Sequence, residues 1–327
     1  MIELPALGMG CAGIGNLYRV VEDAVAVDTV AHALARGIRF FDVAPHYGFG
    51  LAECRLGDAL AECDPQGEAI VSTKVGRVLE PTDSVARERH GFVQARPYGP
   101  HFDYTGDAIL RSHAESLERL KRDRLNLLLA HDLGALTHGA ASDGHLRTFL
   151  DSGYAAMTRL RDEGAVDAIG VGVNEIAICL ALLDEVPLDV ILLAGRYTLL
   201  EPETAAPLLE RCAVTGTRLI VGGPFNSGIL IDGSARAEQS HYDYAPPPRW
   251  VIERVRTLEA LCESHGISLG AAALQFCARA APIASTIPGL VGRDQVDATI
   301  AFQEEPIPDR FWDAVRASNA CSEISAA

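Results

Sequence analysis

Lysine is almost missing from this chain. Only Lys74 and Lys121 are lysines, and the rest of the 28 basic residues are arginines. Basic charge as a whole is scarce, since 28 Lys plus Arg stand against 44 Asp plus Glu, for a formal charge of −16. A nucleic-acid binder usually carries a basic face, so this balance argues against one. No run approaches the length of uninterrupted apolar sequence that a membrane-spanning helix needs. Met1-Ile-Glu-Leu-Pro5 has neither a basic nor an apolar leader region, so no secretory signal is expected and the cytoplasm is the default compartment. No C-x-x-C pair occurs among the eight cysteines, which fits neither a zinc framework nor a small disulfide scaffold. Cys179, Cys212, Cys262 and Cys277 fall in apolar helical contexts and read as small core fillers. The ten histidines contain no H-E-x-x-H arrangement and no tight His/Asp cluster, so no metal site is expected and a metal hydrolase is disfavoured. With 48% hydrophobic residues the chain is not a disordered one.

What is present is a strand–helix alternation. Apolar runs of strand length occur at 6–10, 38–42, 69–75, 125–131, 168–173, 189–194, 218–223 and 284–288. Residues with helical spacing, such as Val25, Val30, Ala33 and Leu34, or Leu110, Ala114, Leu117 and Leu120, lie between them. The later runs are apolar without alternation, as expected of strands covered on both faces in a parallel sheet. Eight such repeats close naturally into a (β/α)8 TIM barrel, with residues 1–327 as one domain. Three long links, 76–106, 132–150 and 224–248, follow strand C-termini, the face on which such barrels build their sites. The last residues, 322–327, are expected to fray.

Gly8-Met-Gly10-Cys-Ala-Gly13 matches the G-x-G-x-x-G dinucleotide fingerprint. Its context argues against that reading. The third glycine should open a helix, but Ile14 to Arg19 intervene before the first helical stretch near Val21, and Asp42 lies too far on. A tight glycine turn with close backbone approach is the simpler account.

Four polar residues sit where strands finish. Asp42 ends one strand-like run and Tyr47 follows five residues later; Lys74 and His131 end two more. In a closed barrel they share one mouth. A lone buried cation is costly unless paired, and Asp42 is the evident partner for Lys74. That pair alone is equally well a structural tie between strands, and His131 alone is a satisfied core histidine. Together with Tyr47 they become chemistry. A free tyrosine loses its proton at about pH 10, and a nearby ammonium favours the phenolate, so an Asp–Lys–Tyr chain makes a tunable acid/base. A neutral His131 would hold the substrate oxygen.

At these residues the sequence resembles the aldo-keto reductase superfamily. The strings Gly37-Ile-Arg-Phe-Phe-Asp42-Val-Ala-Pro-His-Tyr47-Gly48, Ser72-Thr-Lys74 and Leu129-Ala-His131-Asp132 carry the likeness. Gly15-Asn-Leu-Tyr-Arg19, Phe102-Asp-Tyr-Thr105, Leu193-Ala-Gly-Arg-Tyr-Thr-Leu-Leu-Glu201, Gly222-Gly-Pro-Phe-Asn-Ser-Gly-Ile229 and Tyr242-Asp-Tyr-Ala-Pro-Pro-Pro248 are similar to its aldose dehydrogenase branch, which includes pyridoxal 4-dehydrogenase. The resemblance implies Tyr47 as acid/base, Lys74 and Asp42 as its tuning pair, and His131 as substrate orienter. It implies Asn174 on the nicotinamide carboxamide and the segment Gly223, Pro224, Phe225, Asn226, Ser227 and Gly228 around the pyrophosphate, with Gly10 nearby. The aromatic that often stacks on nicotinamide corresponds to Gly222, with Tyr197 as the candidate replacement. The cations that hold a 2′-phosphate correspond to Gly289 and Gln295, leaving Arg293 as the nearby cation. The implied cofactor is therefore NAD, with NADP the open alternative. Tyr18, His46 and the 76–106 link, with Phe92, Tyr98, His101 and Tyr104, are expected to line the pocket of a small-molecule substrate.

The expected reaction is oxidation of an aldose of the L-fucose or D-threo type to its lactone. The alternatives are a pyridoxal 4-dehydrogenase, a carbonyl reductase running in the opposite direction, and a cofactor-sensing module without catalysis. The intact four-residue set speaks against the last. Oligomeric state leaves no mark in the sequence.

Overall fold

Continuous apolar strands with no polar face must be covered on both sides, and the chain meets that demand by closing its sheet. The computed structural model describes residues 3–84, 86–242 and 245–318. Eight parallel strands pair in sequence order: β1 Met9–Gly10, β2 Phe40–Asp42, β3 Ile70–Val75, β4 Leu127–His131, β5 Ala168–Val173, β6 Val190–Ala194, β7 Arg218–Gly222 and β8 Ile283–Ile287. β8 returns to the start through parallel bridges Leu7 to Thr286 and Gly10 to Gly289. The seam is hydrogen-bonded: Gly8 N–H donates to Thr286 O at 3.0 Å and Thr286 N–H to Ala6 O at 2.9 Å. This is a (β/α)8 barrel, and each expected strand run is present: 168–173 as expected, 284–288 shifted by one residue to Ile283–Ile287, and the others trimmed at one or both ends.

The main helices are α1 Asp23–Ala35, α2 Leu51–Cys63, α3 Gly106–Leu120, α4 Tyr154–Asp162, α5 Ile176–Glu185, α6 Ala206–Thr215, α7 Arg249–His265, α8 Leu269–Cys277, α9 Arg293–Glu304 and α10 Asp309–Ala317. Strand periodicity sorts the core into two layers. Phe40, Leu127, Leu129, Ala168, Val190, Leu192, Ile220 and Ile287 fill the barrel. Phe41, Val71, Leu128, Ile169, Val171, Ile191, Leu193 and Val221 pack outward with the apolar faces of the helices. Cys179, Cys212, Cys262 and Cys277 are buried among these apolar clusters. Among the described residues no helix is long and apolar enough to cross a membrane.

The Gly8–Gly13 string leads from β1 into a short turn of 3₁₀ helix, Gly13–Gly15, and α1 starts only at Asp23. No helix opens on the third glycine, and the closed sheet leaves no dinucleotide crevice of the doubly wound kind. The three links diverge in character. Residues 76–106 form a β-hairpin, Arg77–Pro81 against Tyr98–Phe102, with a smaller ladder, Glu88–Arg89 against Phe92–Val93, inside it. Residues 224–248 carry a turn, a short helix Ile229–Asp232 and a 3₁₀ segment Ser234–Gln239. The expected loop at 132–150 is instead largely helical, with Ala135–His138 and Ser142–Thr148 running through a π-turn into α4. Leu146, Phe149 and Leu150 have helical spacing and pack on the main core, which outweighs the glycines of that stretch. Cys321, the 322–327 tail, and Asp243 and Tyr244 of the Tyr242–Pro248 string lie outside the described residues.

Two glycines of β5 are fixed by what lies across the strand. A Cβ on Gly170 would sit 1.7 Å from the Val190 carbonyl oxygen, and one on Gly172 would press on the Lys74 stem at 3.1 Å. The first is a backbone obstacle that no rotamer relieves. Gly170→Ala is therefore expected to cost more than about 2 kcal/mol of stability. Gly144→Ala, whose Cβ meets nothing within 4 Å, should be neutral or stabilising by up to about 1 kcal/mol. Urea unfolding of both variants checks this, and equal midpoints would contradict it.

Candidate active site

The ends of β2, β3 and β4 converge on one buried ion pair. Lys74 Nζ donates to Asp42 Oδ2 at 2.8 Å and to the Val43 carbonyl at 2.9 Å, while Ser72 Oγ donates to Asp42 Oδ1 at 2.6 Å. Lys74 is only 2% exposed. Burial works against its charge, but the neighbouring Asp42 and Tyr47 outweigh that penalty and hold the ammonium above the ordinary lysine value. The turn after β2 swings Tyr47 over this pair, with Tyr47 N–H donating to Ala44 O at 3.0 Å. Gly48 makes the turn possible, because its backbone is left-handed and a Cβ there would lie 2.4 Å from Gly15 O. Lys74 Nζ then stands 4.8 Å from the Tyr47 ring centroid.

His131 closes the set. Its ring lies edge-on to Tyr47 at 6.2 Å and to His46 at 6.1 Å. Burial first, then Arg77, Lys74 and His46, push its protonation well below the ordinary histidine range. It is therefore neutral at working pH. Its Nδ1 is enclosed without a protein partner, which leaves Nε2, 3.5 Å from Asp132 Oδ2, as the nitrogen toward the cavity. Tyr104 Oη, buried behind, donates to the carbonyls of His131 at 2.7 Å and Asp132 at 3.1 Å and fixes the end of β4.

In front of these residues lies a cavity of about 620 Å³. Tyr18, His46, Tyr47, Lys74 and His131 all line it, as does Phe92. His46 is edge-on to Phe92 at 5.4 Å and to His90 at 5.7 Å. Three expected lining residues are placed elsewhere. Tyr98 lies under Arg96, and His101 is exposed on the outer hairpin strand. Tyr104 is spent on the β4 carbonyls. Arg77, Glu88, His90, Asp132 and His241 line the cavity and were not singled out from sequence.

A second cleft shares Ala12, Tyr47, Asn174, Leu192 and Ala194 with the first, so it opens onto the same tyrosine. Gly10, Asn174, Gly223, Asn226, Ser227 and Gly289 line it, together with Asp42, Gly195, Gly222 and the unforeseen Arg196. Its walls suit a flat ring and a backbone-held polar chain. A Cβ on Gly222 or Gly10 would meet neighbours only at 3.4 Å or beyond, so glycine keeps that space open. The enclosed Asn226 Oδ1 has no partner within the protein. These features fit a nicotinamide dinucleotide. Pro224, Phe225 and Gly228 frame the turn behind the lining, with Phe225 packed on Phe302. Tyr197 does not replace the missing stacking aromatic. It is 7% exposed and packs on Phe276 at 5.0 Å, because the chain turns it into the helical layer after β6. Gln295 Oε1 accepts from Val291 N–H at 2.8 Å, and Arg293 is gripped by both oxygens of Asp28. Among the described residues no group of three His, Cys, Asp or Glu is arranged to hold a metal ion.

The model of the Aldo/keto reductase family matches residues 6–320. A pyridoxal 4-dehydrogenase from Microbacterium luteolum is 35% identical, over 98% of this chain and 96% of its own. A D-threo-aldose 1-dehydrogenase from a Pseudomonas species is also 35% identical, over 95% and 93%. Among solved structures, the holo form of an aldo-keto reductase from Bacillus halodurans superposes with a TM-score of 0.75 at 20% identity, covering 99% of this chain and 95% of that one.

Two stability measurements follow from this electrostatic arrangement. Lys74→Met leaves Asp42 buried without its cation and should cost about 3–5 kcal/mol, whereas the double variant Asp42→Leu/Lys74→Met should recover much of the loss. Equal stability of wild type and Lys74→Met in urea would contradict the pairing. His46 is held down to about 2, by burial first and then by Arg77, His90 and Lys74. An unfolded histidine takes its proton near pH 6.5, so below that pH the unfolded state binds more protons. Stability should therefore fall with acidification, by up to about 1.4 kcal/mol per pH unit for each histidine held neutral. His46→Phe should flatten the slope between about pH 6.5 and 5, and an unchanged slope would refute this.

Proposed function

The chain belongs to the aldo/keto reductase family, and on that premise we propose that it is an NAD-preferring aldose 1-dehydrogenase acting as one domain over 1–327. Its substrates would be sugars of the L-fucose or D-threo type, oxidised at the anomeric hydroxyl to lactones. The observation that carries this reading is the joining of Asp42, Lys74, Tyr47 and His131 beside a cavity that also holds Arg77, Glu88 and Asp132. A pure binding module has no need of the lysine over the tyrosine. A cavity with two carboxylates, two cations and four histidines suits a molecule rich in hydroxyl groups.

In this reading His131, neutral, donates from Nε2 to the oxygen on the reacting carbon. Tyr47 removes that hydroxyl's proton as the carbon is oxidised. Lys74, kept charged by Asp42, stabilises the negative charge that develops on the phenolic oxygen. The bound nicotinamide supplies the hydride acceptor. Asn174, Asn226, Ser227 and the glycines at 10, 222, 223 and 289 would hold it. Phe92 and His46 would exclude water from the face of the sugar.

The preference for NAD rests on charge. Arg293 Nε lies 2.8 Å from Asp28 Oδ2 and its Nη2 lies 2.5 Å from Oδ1, so its guanidinium fork is already occupied. Gly289 offers no side chain and Gln295 is tied to the backbone. A 2′-phosphate would lack charge-assisted donors and would face a carboxylate.

Pyridoxal oxidation is the second reading, supported by the Microbacterium luteolum relative and the Phe92 wall. A carbonyl reductase would use the same groups in reverse. Initial rates with L-fucose, D-arabinose, L-galactose and pyridoxal, each with NAD and NADP, distinguish these. We expect sugar turnover, at least tenfold better with NAD, and a loss of about 10²–10⁴-fold in Tyr47→Phe. Turnover of pyridoxal alone would replace the substrate assignment. Asp28→Ala should free Arg293 and raise kcat/KM for NADP relative to NAD, and an unmoved ratio would remove Asp28 from the account.

A further inference from the structure

One charged pair in the cavity wall is not used by the chemistry described above. Asp132 follows His131 directly, and its backbone is left-handed with φ of 49°. That turn brings its carboxylate back beside the reacting centre, with Oδ2 3.5 Å from His131 Nε2. Arg77, from the first strand of the hairpin after β3, pairs with the same Oδ2 through Nη2. The Arg77 guanidinium is braced 5.1 Å from the Phe102 ring centroid. Asp132 N–H donates to Gly172 O at 3.0 Å, and Tyr104 Oη donates to its carbonyl at 3.1 Å. The pair is thus held rigidly from both sides, with its side chains only 13% and 14% exposed. Their hydrogen bond runs from Nη2 to Oδ2, Asp132 Oδ1 and Arg77 Nη1 bond to no other described residue, and Arg77 Nε is enclosed without a partner. Both residues line the cavity, so the pair brings an acceptor and donors with no protein partner to its wall.

We propose that Asp132 and Arg77 read two neighbouring hydroxyl groups of the substrate, next to the carbon that reacts. The inference rests on the aldose reading given above and assigns its specificity to named atoms. With the anomeric oxygen on His131 Nε2, the hydroxyl on the adjacent carbon donates to Asp132 Oδ1. The oxygen one carbon further on accepts from Arg77 Nη1. His131 Nε2 stands 3.5 Å from Oδ2 of that carboxylate, close enough for the two side chains to meet oxygens on adjacent carbons. A sugar lacking the first of these hydroxyls covers the carboxylate oxygen without answering it, and a site built this way rejects the deoxy analogue strongly.

The test compares kcat/KM for L-fucose and 2-deoxy-L-fucose, with NAD, in the full-length protein and in Asp132→Ala and Asp132→Glu. The wild type should prefer L-fucose by tenfold or more, which is about 1.4 kcal/mol. Asp132→Ala should bring the ratio to within threefold by losing the parent sugar, mostly through KM, while the deoxy sugar changes little. Asp132→Glu keeps the charge and the partner but displaces the carboxylate by one methylene. It should lower the ratio at least fivefold, and it carries the test if the alanine variant does not fold. NADH affinity, followed by fluorescence, should be the same in all three proteins. Equal losses on both sugars would overturn the proposal, because a pair that only positions His131 harms every substrate alike. A wild type without preference between the sugars would also overturn it. A wild type that oxidises pyridoxal and no aldose would overturn the aldose reading and this inference with it.

Discussion

Much of the site hangs on a single ammonium–carboxylate contact at the bottom of the barrel mouth. Lys74 and Asp42 are both almost fully enclosed, a situation that is expensive for either charge alone. The surrounding structure answers each of them: Ser72 and Lys74 satisfy the carboxylate, while Asp42 and the Val43 carbonyl satisfy the ammonium. Gly172 gives the lysine stem its passage across β5. With the cation fixed, Tyr47 can only sit where the Gly48 turn places it, above Nζ. The placement of Tyr47 over a cation is in this sense a consequence of strand order, since β2 and β3 must be neighbours for the pair to exist.

The same cation acts on the histidines. Lys74 and Arg77, together with burial, keep His131 and His46 neutral. A neutral His131 can donate one hydrogen bond to an oxygen without competing for the proton that the proposed mechanism gives to Tyr47. The net charge of −16 has little bearing on this, because distant exposed charges are screened while the buried cations are not. Asp132, whose carboxylate lies 3.5 Å from His131 Nε2, is itself paired with Arg77.

The architecture was legible in the sequence because its signal is an apolar run: β5 and β6 are apolar throughout, and β4 and β7 are apolar but for His131 and Arg218 at their ends. The convergence of the proposed catalytic residues was legible for a related reason: Asp42, Lys74 and His131 each interrupt such a run at or near its end. The failures have equally concrete causes. The 132–150 stretch carries Gly, His and Asp at loop-like density, which hid Leu146, Phe149 and Leu150 as a helical face. Tyr197 was chosen as an aromatic near the right strand, but the turn after β6 sends its ring outward to Phe276. Arg77 and Glu88 begin short hairpin strands, and His90 and His241 sit in turns and bridges beyond them, so no long periodicity announces which way their side chains face. Asp132 carried a signal that was not read: a second ionisable residue directly beyond His131.

The relationship between Lys74 and Tyr47 is the centre of the account, and the pH dependence of kcat/KM for sugar oxidation tests it most directly. Removing the ammonium in Lys74→Met should shift the midpoint of the rise in rate toward alkaline pH by at least about one unit, because the phenolate form loses its nearest counter-charge. A profile with the same midpoint in Lys74→Met and wild type would contradict it, and would return the buried pair to a structural tie between two strands.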